Sequence, residues 1–203
     1  MIYNIIENCS PYYIRFTFNG LSDIIDYVKV QNRELTMYNR QCSGYMHINY
    51  TQLTAINIIN MLPMSKLIKF KEDRVALFST PPGGGCGIHK DGLNHRASLN
   101  ISISVEDDNC ITNWYNDDQF QNISLSDDNI YSRNIYKDFS KMRKFIPIKT
   151  MIARPNEMTL FNTEIYHSWD NTESKCTRDI LTLRANDVSN VYYDDIKSIL
   201  FNL

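Results

Sequence analysis

Between residues 97 and 105 apolar and polar residues alternate without a break, with Leu99, Ile101, Ile103 and Val105 on one side and Ser98, Asn100, Ser102 and Ser104 on the other. Side chains leave a strand on alternate faces, so this pattern predicts a strand with one packed face and one polar face able to line a pocket. Shorter strand-like segments at 74–80, 150–154, 158–162 and 178–185 alternate with turns, as they do in a double-sheet jelly roll. The first third is mixed in character. Residues 11–18 are rich in Tyr, Ile and Phe and read as a strand. Residues 21–30 follow Gly20, with Ser22 as a candidate N-cap of a helix. In 51–62, Leu53, Ile56 and Ile59 recur at helical spacing before Pro63 ends the run.

Two further segments complete the pattern. Residues 106–145 are rich in Asp, Asn and Ser and predict a long excursion between strands, with a helix near 136–145. Excursions of that length commonly work as lids or mobile segments. Val191, Ile196, Ile199 and Leu200 are spaced like one face of a C-terminal amphipathic helix, expected to pack outside the sheet. The expected organisation is a single domain, with mixed α/β support at 1–70, a β core at 71–186 and the helix at 187–203.

Composition narrows the function classes. With 203 residues, 43% hydrophobic and 22% charged, the chain can bury roughly 70% of its unfolded surface and build a core. A formal charge of -2 supplies no basic field to grip a polyanion, which argues against nucleic acid as a partner. No stretch approaches a transmembrane run and the first residues lack the pattern of a signal peptide, so a cytoplasmic protein without membrane contact is expected. The five cysteines, Cys9, Cys42, Cys86, Cys110 and Cys176, are odd in number and never in a C-x-x-C pair. That argues against a disulfide framework, a zinc knuckle and the zinc-deaminase signature.

The chemistry concentrates near residue 90. Five of the seven glycines lie between Gly83 and Gly92, so the backbone there bends to present side chains or meets a ligand closely. The pattern is not that of a nucleotide-phosphate loop. In an extended segment His89 and Asp91 share a face and can offer an imidazole and a carboxylate to one ion. A facial triad of two His and one carboxylate leaves three positions open on iron, and His167, one of only four histidines, follows a strand-like run. Eleven residues later Arg178 opens a strand that places Arg178, Thr182 and Arg184 on one face, and a guanidinium fork suits a carboxylate.

His89-x-Asp91, a distant His167 and Arg178 resemble the 2-oxoglutarate- and Fe(II)-dependent oxygenases of the double-stranded β-helix fold, over roughly residues 74–186. The stretches around Ile88 to Gly92, His95 to Ile101, Leu160 to Thr163 and His167 to Asn171 look most like the aspartyl/asparaginyl β-hydroxylase-type branch. Several enzymes of that branch lack the acidic ligand that Asp91 supplies here. The resemblance implies a mainly β (α+β) chain with a double-stranded β-helix (jelly roll, cupin-like) core and flanking helices. It implies Fe(II) on His89, Asp91 and His167, with 2-oxoglutarate as cosubstrate and O2 as oxidant. Arg178 would take the distal carboxylate of 2-oxoglutarate, with Asn100 and Arg96 as further candidates for that pocket. The implied reaction hydroxylates a C–H bond of a small-molecule or peptidyl, amino-acid-like substrate, releasing succinate and CO2. The Arg178 to Arg184 strand also resembles the nucleobase demethylase branch, although Ile180 stands where those enzymes carry a polar residue.

Trp114, Tyr115 and Arg184 are candidates for the substrate pocket, with core packing as the other reading of the two aromatics. His95 is a candidate for a place near the site, His47 reads as structural, and Asp107, Asp108, Asp117 and Asp118 read as a solvated loop face. Two alternatives stay open: a cupin-like domain that binds metal or ligand without turnover, and a structural jelly roll without metal.

Overall fold

Alternation decides where each strand's side chains go, and in the computed structural model it divides the chain's apolar and polar faces between two environments. The structure describes residues 2–34, 39–42, 44–91, 96–121, 132–134, 144–185 and 192–203. One antiparallel sheet contains, in spatial order, β1 (Tyr3–Cys9), β2 (Tyr13–Phe18), β11 (Met158–Asn162), β7 (Ala97–Ser104), β13 (Arg178–Leu183), β5 (Ala76–Thr80), β4 (Tyr45–Asn49) and β3 (Asn39–Cys42). The second has the order β10 (Lys149–Ile152), β8 (Ile111–Trp114), β12 (His167–Asp170), β6 (Gly85–Asp91) and β9 (Ser132–Asn134). The helices are α1 (Leu21–Glu34), α2 (Gln52–Met61) and α3 (Tyr193–Phe201). Among the described residues no helix is long and apolar enough to cross a membrane.

The main core lies between the eight-stranded sheet and the helices. Phe16, Leu99, Ile101, Leu160, Leu181 and Leu77 project from one face of that sheet and are buried with Ile24 of α1, Ile58 of α2 and Ile196 of α3. The opposite face, carrying Ser98, Asn100 and Ser102 on β7 and Arg178, Ile180 and Thr182 on β13, turns toward the five-stranded sheet. The polar side of the alternating segment is therefore the inward side of the sandwich, where a site can form.

Local departures from the expected pattern have simple causes. Val105 leaves the face of Ile103 and joins Cys110, Ala153 and Ile180, because the β13–β7 register shifts between Asp179 and Ile180. A bulge of that kind moves the following side chain to the other face. Ser22 lies inside α1 as its second residue, so it is not the N-cap. In α2 the buried residues are Ala55 and Ile58, while Leu53 is 69% exposed. Apolar residues surround that helix, so spacing alone cannot select its packed face. Its start is conventional: the Thr51 side chain accepts the N–H of Thr54 at 3.3 Å, which satisfies an otherwise orphan donor.

The expected excursion at 106–145 is interrupted. It contains β8, which pairs with β12 along its length, a 3-10 turn at Asp117–Phe120 and β9, which adds an edge strand to β6. A four-residue strand among polar residues leaves too little periodicity to be read in advance. Of the helix expected near 136–145, residues 136–143 lie outside the described residues, as does Val191 of the C-terminal helix.

Candidate metal centre

The glycine-rich loop sets where β6 begins. Gly83 has φ 77°, a conformation that side-chain-bearing residues rarely adopt. A Cβ on Gly84 would stand 2.2 Å from the carbonyl oxygen of Gly44, so the close approach is to another backbone segment and not to a ligand. Asn171, fully buried, ties this loop to the turn before β13. Its amide donates to the carbonyls of Thr80, Pro81 and Cys176 at 2.9–3.0 Å, and its backbone exchanges hydrogen bonds with Gly83 and Gly84. The starts of the strands carrying His89 and Arg178 are thus held by one side chain.

His89 and Asp91 project from one face of β6, and His167 opens β12 directly opposite His89. Their rings lie 4.3 Å apart, His89 6% and His167 3% exposed. Each imidazole is oriented the same way: Nδ1 of His89 bonds the carbonyl of Gly87 at 2.7 Å, and Nδ1 of His167 bonds that of Ile165 at 2.8 Å. A carbonyl only accepts, so Nδ1 carries the hydrogen in both rings, and Nε2 of each ring, when neutral, has a free lone pair. Oδ1 of Asp91 lies 3.7 Å from Nε2 of His89, and one ligand atom from each of the three residues falls within a 4.8 Å cluster. Two imidazole nitrogens and a carboxylate oxygen on one side of a point form the donor set of a facial triad.

Arg184 meets this set from the opposing sheet. Its Nη2 lies 3.1 Å from Oδ2 of Asp91, which leaves Oδ1 facing the histidines. Its place is therefore against the carboxylate of the candidate donor set, where the sequence suggests substrate. Replacing Arg184 with Gln is expected to weaken Mn(II) binding about 10–100-fold, the usual loss when a group orienting a ligand is removed; titration of both proteins with Mn(II) checks it.

Two neighbouring buried imidazoles cannot both be charged. Burial, and then the proximity of His89, push the pKa of His167 down to about 3. Burial opposes charge on His89 as well, but Cys86 and Asp91 raise its pKa to about 9. Below that value the metal-free site holds a proton on His89 that a cation must displace. Mn(II) affinity should fall about tenfold for each pH unit below about 9. Proton release measured by calorimetry in buffers of different ionisation enthalpy would read it directly.

Arg178 crosses the sandwich. From β13 its Nη2 donates to Oγ1 of Thr112 on β8 at 2.8 Å, and Thr112 stands opposite Trp169, two residues along from the His167–Trp114 pair. That step is about 7 Å along the strand. The side chain is 7% exposed, its Nε has no partner, and none of the described carboxylates pairs with it. Burial lowers its pKa to about 10. A buried cation without a counter-charge is costly unless an anion joins it.

The remaining candidates separate by position. Asn100 stands opposite Thr182 and Thr159 on the inward face, with a buried Oδ1 that lacks a partner. Arg96 precedes the far end of β7 from Arg178; it pairs with Glu164 at 3.3 Å and lies over the ring of Tyr192. Trp114 is wholly buried, stacked on Tyr13 and against Phe161, and so packs beneath His167. Tyr115 bonds Ser168 at 3.0 Å, on the outer side, because successive residues alternate faces. His47 stacks on Phe78, and His95 lies outside the described residues. Asp108, Asp117 and Asp118 are exposed and Asp107 is partly buried, and each has polar partners. Asp107 accepts from Asn109, Ser174 and Lys175, Asp108 pairs with Arg154, Asp117 pairs with Lys90 and Asp118 accepts from Asn116 and Gln121.

Sequence reasoning misses Thr112, Cys86 and Asn171. Trp169, whose ring is 5.6 Å from that of His89, was legible as the residue two beyond His167. No protein-family model and no curated protein sequence matches the chain. Solved structures do resemble it. HygX from Streptomyces hygroscopicus, with nickel, 2-oxoglutarate and hygromycin B bound, superposes with a TM-score of 0.57 at 7% sequence identity, over 87% of this chain and 83% of HygX. The epimerase SnoN, in complex with Fe3+, alpha-ketoglutarate and nogalamycin RO, gives 0.56 at 9% identity, over 85% of this chain and 78% of SnoN. The carbocyclase SnoK from nogalamycin biosynthesis gives 0.53 at 8%, over 86% and 79%. At these identities, what the chain shares with these proteins is the fold.

Proposed function

We propose that the chain is an Fe(II)- and 2-oxoglutarate-dependent dioxygenase built on a double-stranded β-helix. The observation that carries this reading is the presence, within one sandwich interior, of a His-Asp-His donor set and a buried arginine without a carboxylate partner among the described residues. The metal and 2-oxo acid bound by HygX and SnoN add support from the same fold. The chemistry supplied when metal and cosubstrate are bound is O2-dependent oxidative decarboxylation to succinate and CO2, coupled to oxidation of the substrate.

The chain's own part follows from the geometry. Nε2 of His89, Nε2 of His167 and Oδ1 of Asp91 would hold the iron, with both Nδ1 hydrogens committed to backbone carbonyls and Oδ2 of Asp91 held by Arg184. Arg178 and the hydroxyl of Thr112 would receive the distal carboxylate, which supplies the negative charge that Arg178 lacks. Asn100 offers a further polar contact on the same face. Trp114 and Phe161 pack behind His167 and exclude water from that side of the centre.

The resemblance to the aspartyl/asparaginyl β-hydroxylase-type branch favours C–H hydroxylation of an amino-acid-like or peptidyl substrate. The test is succinate formation by the full chain with Fe(II), ascorbate and 2-oxoglutarate, alone and with candidate substrates. Binding of metal and cosubstrate without succinate under every condition would instead identify a non-catalytic cupin-like binding protein.

A further inference from the structure

We propose that the thiol of Cys86 is a modification site inside the cosubstrate chamber, open to small electrophiles only while the chamber lacks a 2-oxo acid. This rests on the dioxygenase reading, and on three placements that the donor set does not itself require.

Strict alternation would point Cys86 away from His89, three residues on. The β12–β6 register shifts between His167 and Trp169, so that His89 faces His167 while Cys86 faces Trp169. The extra residue on β6 is a bulge, and a bulge returns the side chain beyond it to the same face. Sγ of Cys86 accordingly lies 3.7 Å from Nδ1 of His89, and Trp169 stands opposite both Cys86 and Thr112, the residue that Arg178 bonds. Cys86 is only partly buried, whereas Arg178, whose Nε lacks a partner, is 7% exposed. The thiol therefore shares the inward face with His89 and with the threonine that bonds the guanidinium assigned to the cosubstrate. Cys110, by contrast, is buried and donates to Oδ1 of Asn171 at 2.9 Å.

Addition of N-ethylmaleimide forms one S–C bond; the thiol proton ends on the neighbouring ring carbon, nothing leaves and no oxidant is consumed. The adduct at Cys86 fills space on the inward face beside His89, so that a 2-oxo acid and the adduct exclude one another.

The experiment treats the full chain, loaded with Mn(II), with N-ethylmaleimide in the presence and absence of N-oxalylglycine, and follows each cysteine by peptide mass spectrometry. With the analogue at about ten times its Kd, labelling of Cys86 should slow about tenfold, labelling of Cys9 and Cys176 should not change, and prior labelling should abolish analogue binding. In Cys86→Ser, the same treatment should leave that variant's own analogue binding intact. If calorimetry shows the analogue bound while Cys86 labels at an undiminished rate, or if treated Cys86→Ser still loses binding, the inference is overturned and the dioxygenase reading stands. Failure of N-oxalylglycine to bind the untreated Mn(II) protein would overturn the dioxygenase reading and the inference with it.

Discussion

Replacing His167 with Ala is expected to abolish iron-dependent succinate formation, because the centre is left with one imidazole and one carboxylate. His167 supplies the donor that faces His89 across β12 and β6, and no other described histidine joins the group that can hold an ion. The ring is 3% exposed and packs against Phe161 at 4.8 Å, so truncation also removes core contacts and can cost about 3 kcal/mol in stability. His167→Gln retains more of that volume and separates the two effects. Both variants should lose Mn(II) binding and turnover, while the Gln variant keeps a cooperative thermal transition close to that of the parent. Unchanged succinate formation in a folded His167→Gln protein would sink the assignment of the site.

The second large effect is expected to carry opposite signs for stability and binding. Arg178→Met should raise the melting temperature of the ligand-free protein and remove 2-oxoglutarate binding. In the native protein the guanidinium is buried with only Thr112 as a side-chain partner among the described residues, and burial depresses its pKa to about 10. A base whose folded-state pKa is depressed holds its charge less well folded than unfolded, so the penalty on stability is present below about pH 10 and relieved above it. Methionine fills similar space without that charge, for a gain of about 1 kcal/mol or more. The carboxylate of the cosubstrate loses charge-assisted bonds worth about 3 kcal/mol or more together, over a hundredfold in Kd. Thermal melts with and without N-oxalylglycine in Mn(II) read both: the parent is stabilised by the analogue and the variant is not. A destabilised ligand-free variant that still binds the analogue would remove Arg178 from the cosubstrate site.

These effects trace to features of unequal visibility. The shared face of His89 and Asp91, and of Arg178, Thr182 and Arg184, follows from period-two geometry within one strand. The inward polar face of β7 does too, since Ser98, Asn100 and Ser102 alternate with the apolar residues that seek the helices. Where the period breaks, that reasoning fails. Val105 changes sides at one register shift and Cys86 joins the His89 face at another. Tyr115 was paired with Trp114 only because they are neighbours in sequence, and neighbours in extended chain point apart.

By itself, then, the amino-acid sequence determined which residues could ligate and which strand faces they occupy, because side-chain direction along a strand is a local property. Only the tertiary structure decided who meets whom. The pairing of β12 with β6 sets His167 opposite His89, the sandwich brings Arg184 onto Asp91 and Arg178 onto Thr112, and Asn171 joins two turns far apart in the chain. Each depends on register and packing between distant segments, on which local periodicity carries no information.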